Sequence, residues 1–290
     1  MTEYTQILVD KSEGIATITL NRPEKMNAYT RTMGDEIMAA MDDIDSDDSV
    51  RAVIFTGSGD RAFCAGADLT PEGGGHVFSD PNEVDDLADP KVRDGGGLLT
   101  LRLFESKKPL ISACNGVAVG VGATMQLAMD IRLAADTARY GFVFARRGIV
   151  PEAASSWFLP KIVGISQALE WCYTGRVFDA AEAQNGGLVR SIHSSDELMG
   201  AAKALAREIA DNTSAVSVAM TRAMMWRLPS GDHPMDAHKI DSRAIYRLSR
   251  GADAKEGIAS FLEKRAPQYP AKVSEDMPDF YPWWDVQEYR

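Results

Sequence analysis

"KKPLISACNGVAVGVGATMQLAMDIRLAA", residues 107–135, reads as a buried strand, a turn of small residues, a helical stretch and a second strand. The apolar run after Pro109 suits a strand covered on both faces, "MQLAMD" is helical, and "IRLAA" is again strand-like. Strand, helix, strand in that order is a βαβ unit, and it implies a parallel sheet. The turn "NGVAVGVGAT" at 115–124 has almost no side-chain bulk. Small residues let a backbone approach a ligand closely, and the first turn of a helix offers unpaired N–H donors.

Outward from this unit the same alternation continues. Upstream, "TQILVD" and "IATITL" flank the turn "KSEG"; Ala16, Ile18 and Leu20 share one face of the second strand, and Pro23 ends it. Met33, Ile37, Met41 and Ile44 have the spacing of one apolar helix face. "VRAVIF" is a further strand, closed by "GSGD". Downstream, Asp179-Ala-Ala-Glu182 is a capping-box opening to a short helix, and "GLVRSI" reads as a strand. From residue 196 the pattern is helical without intervening strands, which divides the chain into an α/β core, 1–195, and a helical C-terminal region, 196–290. The aromatic and acidic tail "DMPDFYPWWDVQEYR" has the composition of a staple or an interface seal. Residues 71–97, with glycine triplets at 73–75 and 95–97 around an acidic run, predict a mobile surface excursion or a lid.

The chain has 290 residues, 45% of them apolar and 25% charged, enough for a large core. Its net charge of -11 disfavours nucleic acid and anionic membranes as partners. The N-terminus has no signal-peptide pattern, and no apolar run is long enough to cross a bilayer. Cys64, Cys114 and Cys172 are far apart and unaccompanied by histidines, which argues against disulfides and against a metal site, and for the reducing cytoplasm.

A second small-residue turn, "RAFCAGADL" at 61–69, follows the strand-like "RAVIFTGSG". Two such turns could aim two N–H groups at one carbonyl oxygen, the arrangement of an oxyanion hole. Either turn alone is better read as packing. Neither has the spacing of a dinucleotide fingerprint or a P-loop, and the chain contains no G-x-S-x-G elbow.

Five ordered segments, "ITLNRPEKMNA" (18–28), "VIFTGSGDRAFCAGADL" (53–69), "KKPLISACNGVAVGVGATMQLAMDIRLAADTARYGF" (107–142), "GIVPEAASSWFLPKIVG" (148–164) and "YTGRVFDAAEAQNGGLV" (173–189), together resemble the enoyl-CoA hydratase/isomerase family, the crotonase superfamily. The resemblance implies an α/β spiral of βαβ units, a helical C-terminal region that builds homotrimers or hexamers, and an acyl-CoA thioester substrate, with coenzyme A part of the substrate and no separate cofactor. It places the thioester oxygen on the N–H groups of Ala67 and Val121, with Gly120 and Gly122 shaping the 115–124 turn. It places CoA along Lys25, Ala28, Ala65, Asp68, Leu69 and Gly120, with Phe261 and Lys264 reaching it, commonly from an adjacent subunit. Without the motif context, Lys25 and Lys264 read as solvated surface lysines.

Family hydratases of the two-glutamate type carry carboxylates where this sequence has Thr124 and Phe144. The resemblance instead matches Glu152 to the catalytic carboxylate of other members, and its apolar neighbours Ile149, Val150, Ala153, Ala154 and Trp157 should raise its pKa. The competing reading is a helix N-terminal glutamate. One carboxylate and an oxyanion hole suffice for a Δ3,Δ2-enoyl-CoA isomerase, and with a bound water for a hydratase. Thioester hydrolysis, carbon–carbon cleavage, or a silent acyl-CoA-binding module are the alternatives; RNA binding conflicts with the acidic charge. Asp68 is otherwise structural or adenine-side, Cys64 a small buried hydrophobe, and His76 a loop residue. His193, His233 and His238 have no supporting pattern, and Arg146 and Arg147 either offset charge near the site or face solvent.

Overall fold

The computed structural model describes residues 4–69 and 86–289. Strands β1 (Ile7–Ser12) and β2 (Ile15–Leu20) form an antiparallel hairpin; helix α1 (Arg31–Ser46), β3 (Ala52–Gly57) and β4 (Ala62–Cys64) follow. Next come α2 (Gly95–Phe104), β5 (Leu110–Cys114), β6 (Val117–Val119), α3 (Val121–Thr124), β7 (Ile131–Ala135) and β8 (Arg139–Gly141). Then α4 (Ser155–Val163), α5 (Ile165–Thr174), β9 (Val177–Asp179), α6 (Ala180–Asn185), β10 (Ser191–His193), α7 (Ser195–Asn212), α8 (Ala215–Arg227), α9 (Pro234–Leu248) and α10 (Ala252–Glu263) complete the described chain.

The strands are dealt alternately into two sheets. One has the order β1-β2-β3-β5-β7-β10 and the other β4-β6-β8-β9. Thus β3, β5 and β7 each feed a strand of the second sheet, β4, β6 or β8, before the chain returns. Neighbours within each of these two triplets are parallel. This is the expected spiral, each turn adding one strand to each sheet.

Alternation along the strands decides which core each residue enters. Val53 and Phe55 of β3 join the larger core with Met33, Ile37, Met41 and Ile44 of α1, while Ala52 and Ile54 face the other way. There they meet Leu198, Ala202 and Ala206 of α7, one helical stripe spaced by four. Small alanines in that stripe let α7 lie close to the sheet.

Several sequence expectations need adjustment. Residues 70–85, with His76 and the first glycine triplet, lie outside the described residues. The second triplet does not belong to a coreless excursion: Gly95–Gly97 is the first turn of α2, because the Asp94 carboxylate accepts the Gly96 and Gly97 amides and caps the helix. The strand expected at "GLVRSI" is confined to Ser191–His193. Asp179 caps α6 through the Glu182 amide, but Glu182 does not reciprocate; its carboxylate is taken by Trp171 and Arg176. The tail folds onto its own chain, where Arg227 lies over the rings of Phe104 and Trp284, 4.5 Å and 3.6 Å from their centroids. Among the described residues no helix is long and apolar enough to cross a membrane.

Candidate active site

The second sheet brings the two small-residue turns together. β4 and β6 are parallel, with Ala62 opposite Val117 and Cys64 opposite Ala118, so the turns that follow leave from the same end of adjacent strands. Site-bearing loops gather at such strand ends in parallel sheets. Gly66 has φ +109° and Gly120 has φ +57°, conformations that side chains rarely adopt. The turns nearly touch: a Cβ on Gly66 would stand 3.1 Å from the Val119 carbonyl oxygen, and one on Gly120 would lie 3.8 Å from the Gly66 Cα. Gly122 serves packing instead, since a Cβ there would lie 2.0 Å from the Cys64 carbonyl oxygen.

Backbone bonding around the turns determines which amides are left over. Tyr29 and Ala67 form a parallel bridge in which the Tyr29 N–H donates to Gly66 O at 2.8 Å and the Asp68 N–H donates to Tyr29 O at 2.9 Å. In that pattern the Ala67 N–H points away from Tyr29. The Gly120 N–H donates to Gly141 O at 2.9 Å, while Val121, as the first residue of α3, has an amide without an intrahelical acceptor.

A third loop, after β8, carries Glu152. Since β8 is the parallel neighbour of β6, this loop leaves from the same end as the two turns. Glu152 does not cap α4: its carboxylate accepts the hydroxyl of Thr124, the last residue of α3. Its backbone oxygen accepts the Ser155 amide at 3.0 Å and the Ser155 hydroxyl at 2.6 Å. Burial pushes the Glu152 carboxyl up to about 7; the Thr124 hydroxyl pulls it down and the negative charge of Asp94 pushes it further up. Phe144, at the other two-glutamate position, is buried in the main core.

The residues after Glu152 are bent sharply. Ala153 and Ala154 have φ +59° and +52°, each a conformation costing on the order of 1–3 kcal/mol in a non-glycine residue. Both peptide groups of Ala153 are held by α2 and its cap: the N–H donates to Asp94 Oδ2 at 2.7 Å, and the carbonyl accepts the Thr100 hydroxyl at 2.9 Å. A bond to a charged acceptor contributes about 1.5–3 kcal/mol, enough to offset one strained residue. Gly96 completes the mould, because a Cβ on it would stand 2.0 Å from Glu152 Oε2. Asp94, Gly96 and Thr100 escaped the sequence reading, although Asp94 ahead of an apolar run is an N-cap signal.

The other candidates divide. Asp68 pairs with Arg22 at 2.9 Å, and Arg22 also donates to Ala28 O at 2.6 Å, tying the first motif segment to the 61–69 turn. Ala65 donates to Met26 O at 3.1 Å, Lys25 is exposed in the intervening 3-10 turn, and Leu69 is exposed beside Asp68. Phe261 is 81% exposed on α10 and Lys264 ends that helix, so this chain does not enclose either of them. Burial pushes the Cys64 thiol up to about 12, which fits a buried hydrophobe and not a nucleophile. His193 contacts Ser191, His233 caps α9, and His238 is exposed on α9. Arg146 and Arg147 bond the carbonyls of Thr174 and Val143 and do not reach Glu152.

A family model for enoyl-CoA hydratase/isomerase matches residues 10–272. The chain is 41% identical over 265 residues to enoyl-CoA hydratase AFT3-1 of Alternaria alternata, covering 91% of this chain and 86% of that protein. It is 32% identical over 270 residues to 1,2-epoxyphenylacetyl-CoA isomerase of Escherichia coli strain K12, covering 92% and 98%. The crystal structure of an enoyl-CoA hydratase from Bacillus anthracis superposes with a TM-score of 0.82 at 29% identity, covering 91% of this chain and 99% of that one.

Proposed function

The chain belongs to the enoyl-CoA hydratase/isomerase family of acyl-CoA-processing enzymes, and on that premise we propose that it moves protons alpha to a CoA thioester, with Glu152 as sole general acid and base. The amides of Ala67 and Val121 form the oxyanion hole in this reading. One observation carries it: Glu152 is bonded to Thr124, in the same four-residue helix that begins with Val121. Three residues of helix rise about 4.5 Å, so a carboxyl bonded to Thr124 lies at the same short helix as the Val121 amide.

The Glu152 carboxylate removes a proton from C2 of a 3-enoyl-CoA. The electron pair moves onto the thioester oxygen, where the two amides stabilise it. Collapse of the enolate forms the C2–C3 double bond, the C3–C4 pair takes the proton back from Glu152 at C4, and the 2-enoyl isomer leaves. A carboxyl held near 7 serves both halves, since base and acid forms coexist at neutral pH. Thr124 and Phe144 offer no second carboxylate, which favours this one-base isomerase chemistry.

Hydration is the second reading, favoured by the similarity to the Alternaria hydratase. There Glu152 takes a proton from water attacking C3 and returns it to C2. In either case Lys25, Ala28, Ala65, Asp68, Leu69 and Gly120 serve CoA, with Phe261 and Lys264 supplied to a neighbouring subunit's site. Exposed Ile245 and Tyr246 on α9, and Ile258, Phe261 and Leu262 on α10, support a homotrimer or a hexamer. Free, buried Cys64 and Cys114 support a reducing cytoplasm.

The test is turnover of 3-hexenoyl-CoA and 2-hexenoyl-CoA by the wild type and Glu152→Gln. Conversion of the 3-enoyl compound, falling about 10²–10⁴-fold in the variant, is expected. A hydroxyacyl product from the 2-enoyl compound transfers the assignment to hydration. Unchanged activity in the variant removes Glu152 from the chemistry, and tight binding without turnover makes the protein a silent module.

A further inference from the structure

The capping residue of α2 does more than start a helix. Asp94 accepts three amides: Gly96 at 3.0 Å, Gly97 at 2.7 Å and, across the loop after β8, Ala153 at 2.7 Å. The first two satisfy the helix end, as an N-cap must. The third is not needed for capping and fixes the peptide that immediately follows Glu152.

We infer that Asp94 is a positioning residue for Glu152, its carboxylate locking the left-handed Ala153 so that Glu152 Oε2 rests against Gly96 while Oε1 faces Thr124. The lock has two jaws, since Thr100, one turn further along α2, holds the Ala153 carbonyl. Gly96 is the seat: any side chain there would occupy the place of Oε2. The assignment rests on Glu152 being the base.

Two groups act electrostatically on Glu152: Thr124 approaches from α3 and Asp94 from the cap of α2. Tyr29 and Cys64, beside and within the 61–69 turn, face Glu152 and feel its charge. Among these only Asp94 brings a negative charge, and it disfavours a second one on Glu152. Removing that charge makes Glu152 easier to ionise, so the pH at which the base form appears moves to lower values.

Asp94→Ser separates the two roles of the residue. Serine caps helices as well as aspartate does, but its oxygen is uncharged and sits one bond short of Oδ2, the single oxygen that accepts both Gly97 and Ala153. With 3-hexenoyl-CoA, Asp94→Ser should lose about tenfold or more in kcat on the alkaline plateau, as misplaced catalytic groups do. KM should stay within about twofold, since no contact with substrate is removed. The midpoint of the pH–kcat curve should move to lower pH. Asp94→Asn, with an acceptor but no charge, should recover much of kcat while keeping the acid shift. Thr100→Val opens the other jaw with a near-isosteric residue and should lower kcat alone, which guards against a failure of Asp94→Ser to fold.

Wild-type kcat and midpoint in a folded Asp94→Ser would overturn the inference, as would a loss confined to KM. Glu152→Gln in the same assay keeps the two failures apart. If that variant is inactive while Asp94→Ser behaves as wild type, only the positioning role falls; if it is active, the assignment of the base falls first.

Discussion

The paired turns and the Glu152 pocket are built on opposite plans. At Gly66–Ala67 and Gly120–Val121 the side chains are kept out of the way, and the groups left pointing outward belong to the backbone. Around Glu152 the arrangement depends on side chains from separate elements, Thr124 of α3 and Asp94 and Thr100 of the α2 region. The first plan leaves a local trace in sequence, because small residues must recur at the turn itself. The second leaves almost none, since residues nearly 60 positions apart meet only after the chain has coiled.

That contrast explains what was legible. Alternation of apolar residues in "IATITL" and the four-residue spacing of Met33, Ile37, Met41 and Ile44 locate their elements, because each reports a face buried in the core. The motif segments locate Ala67, Val121 and Glu152. What they do not encode is that β4, β6 and β8 stand side by side and point their ends the same way, which follows only from pairing. The glycines at 95–97 read as a floppy run until Asp94 is seen capping them, and their role as a seat for Glu152 depends on a loop far along the chain.

The comparison can be broken at its backbone half. Ala67→Gly leaves the amide in place and should change kcat little, whereas Ala67→Pro removes the N–H and should lower kcat by about 10²–10³-fold. Steady-state kinetics with 3-hexenoyl-CoA reads the difference. If the glycine and proline variants lose activity equally, the Ala67 side chain matters and the backbone reading of the turn is wrong.

The side-chain half should respond in graded fashion. Thr124→Val deletes the donor that favours ionised Glu152. The pH–kcat midpoint should then rise, by about one unit for a bond worth about 1.5 kcal/mol to a charged group. This is opposite in sign to the shift expected for Asp94→Ser. A pH profile in which both variants move the same way would contradict the electrostatic account of the pocket.

The last effect is on stability and leaves the kinetics aside. The Glu152 carboxyl is raised from 4.5 to about 7 in the folded chain. Between those values the unfolded chain releases the proton while the folded chain keeps it, so the folded state binds more protons and stability falls as pH rises through that window. The cost is absent below it and complete above it, about 3 kcal/mol at roughly 1.4 kcal/mol per unit. Glu152→Gln carries no charge to bury, so urea melts should show its advantage over wild type growing from about pH 4 to about pH 8. A difference independent of pH would mean that Glu152 is not desolvated.

Proton exchange at the alpha carbon of a saturated acyl-CoA, followed by NMR in heavy water, tests enolate formation most directly, because it needs no double bond and no knowledge of the true acyl chain. Hexanoyl-CoA should take up solvent deuterium at C2 with the wild-type enzyme, and exchange should fall to background with Glu152→Gln. Exchange that proceeds equally in both proteins would contradict the account, for the proton would then be moving without the carboxyl that the fold sets beside the paired turns.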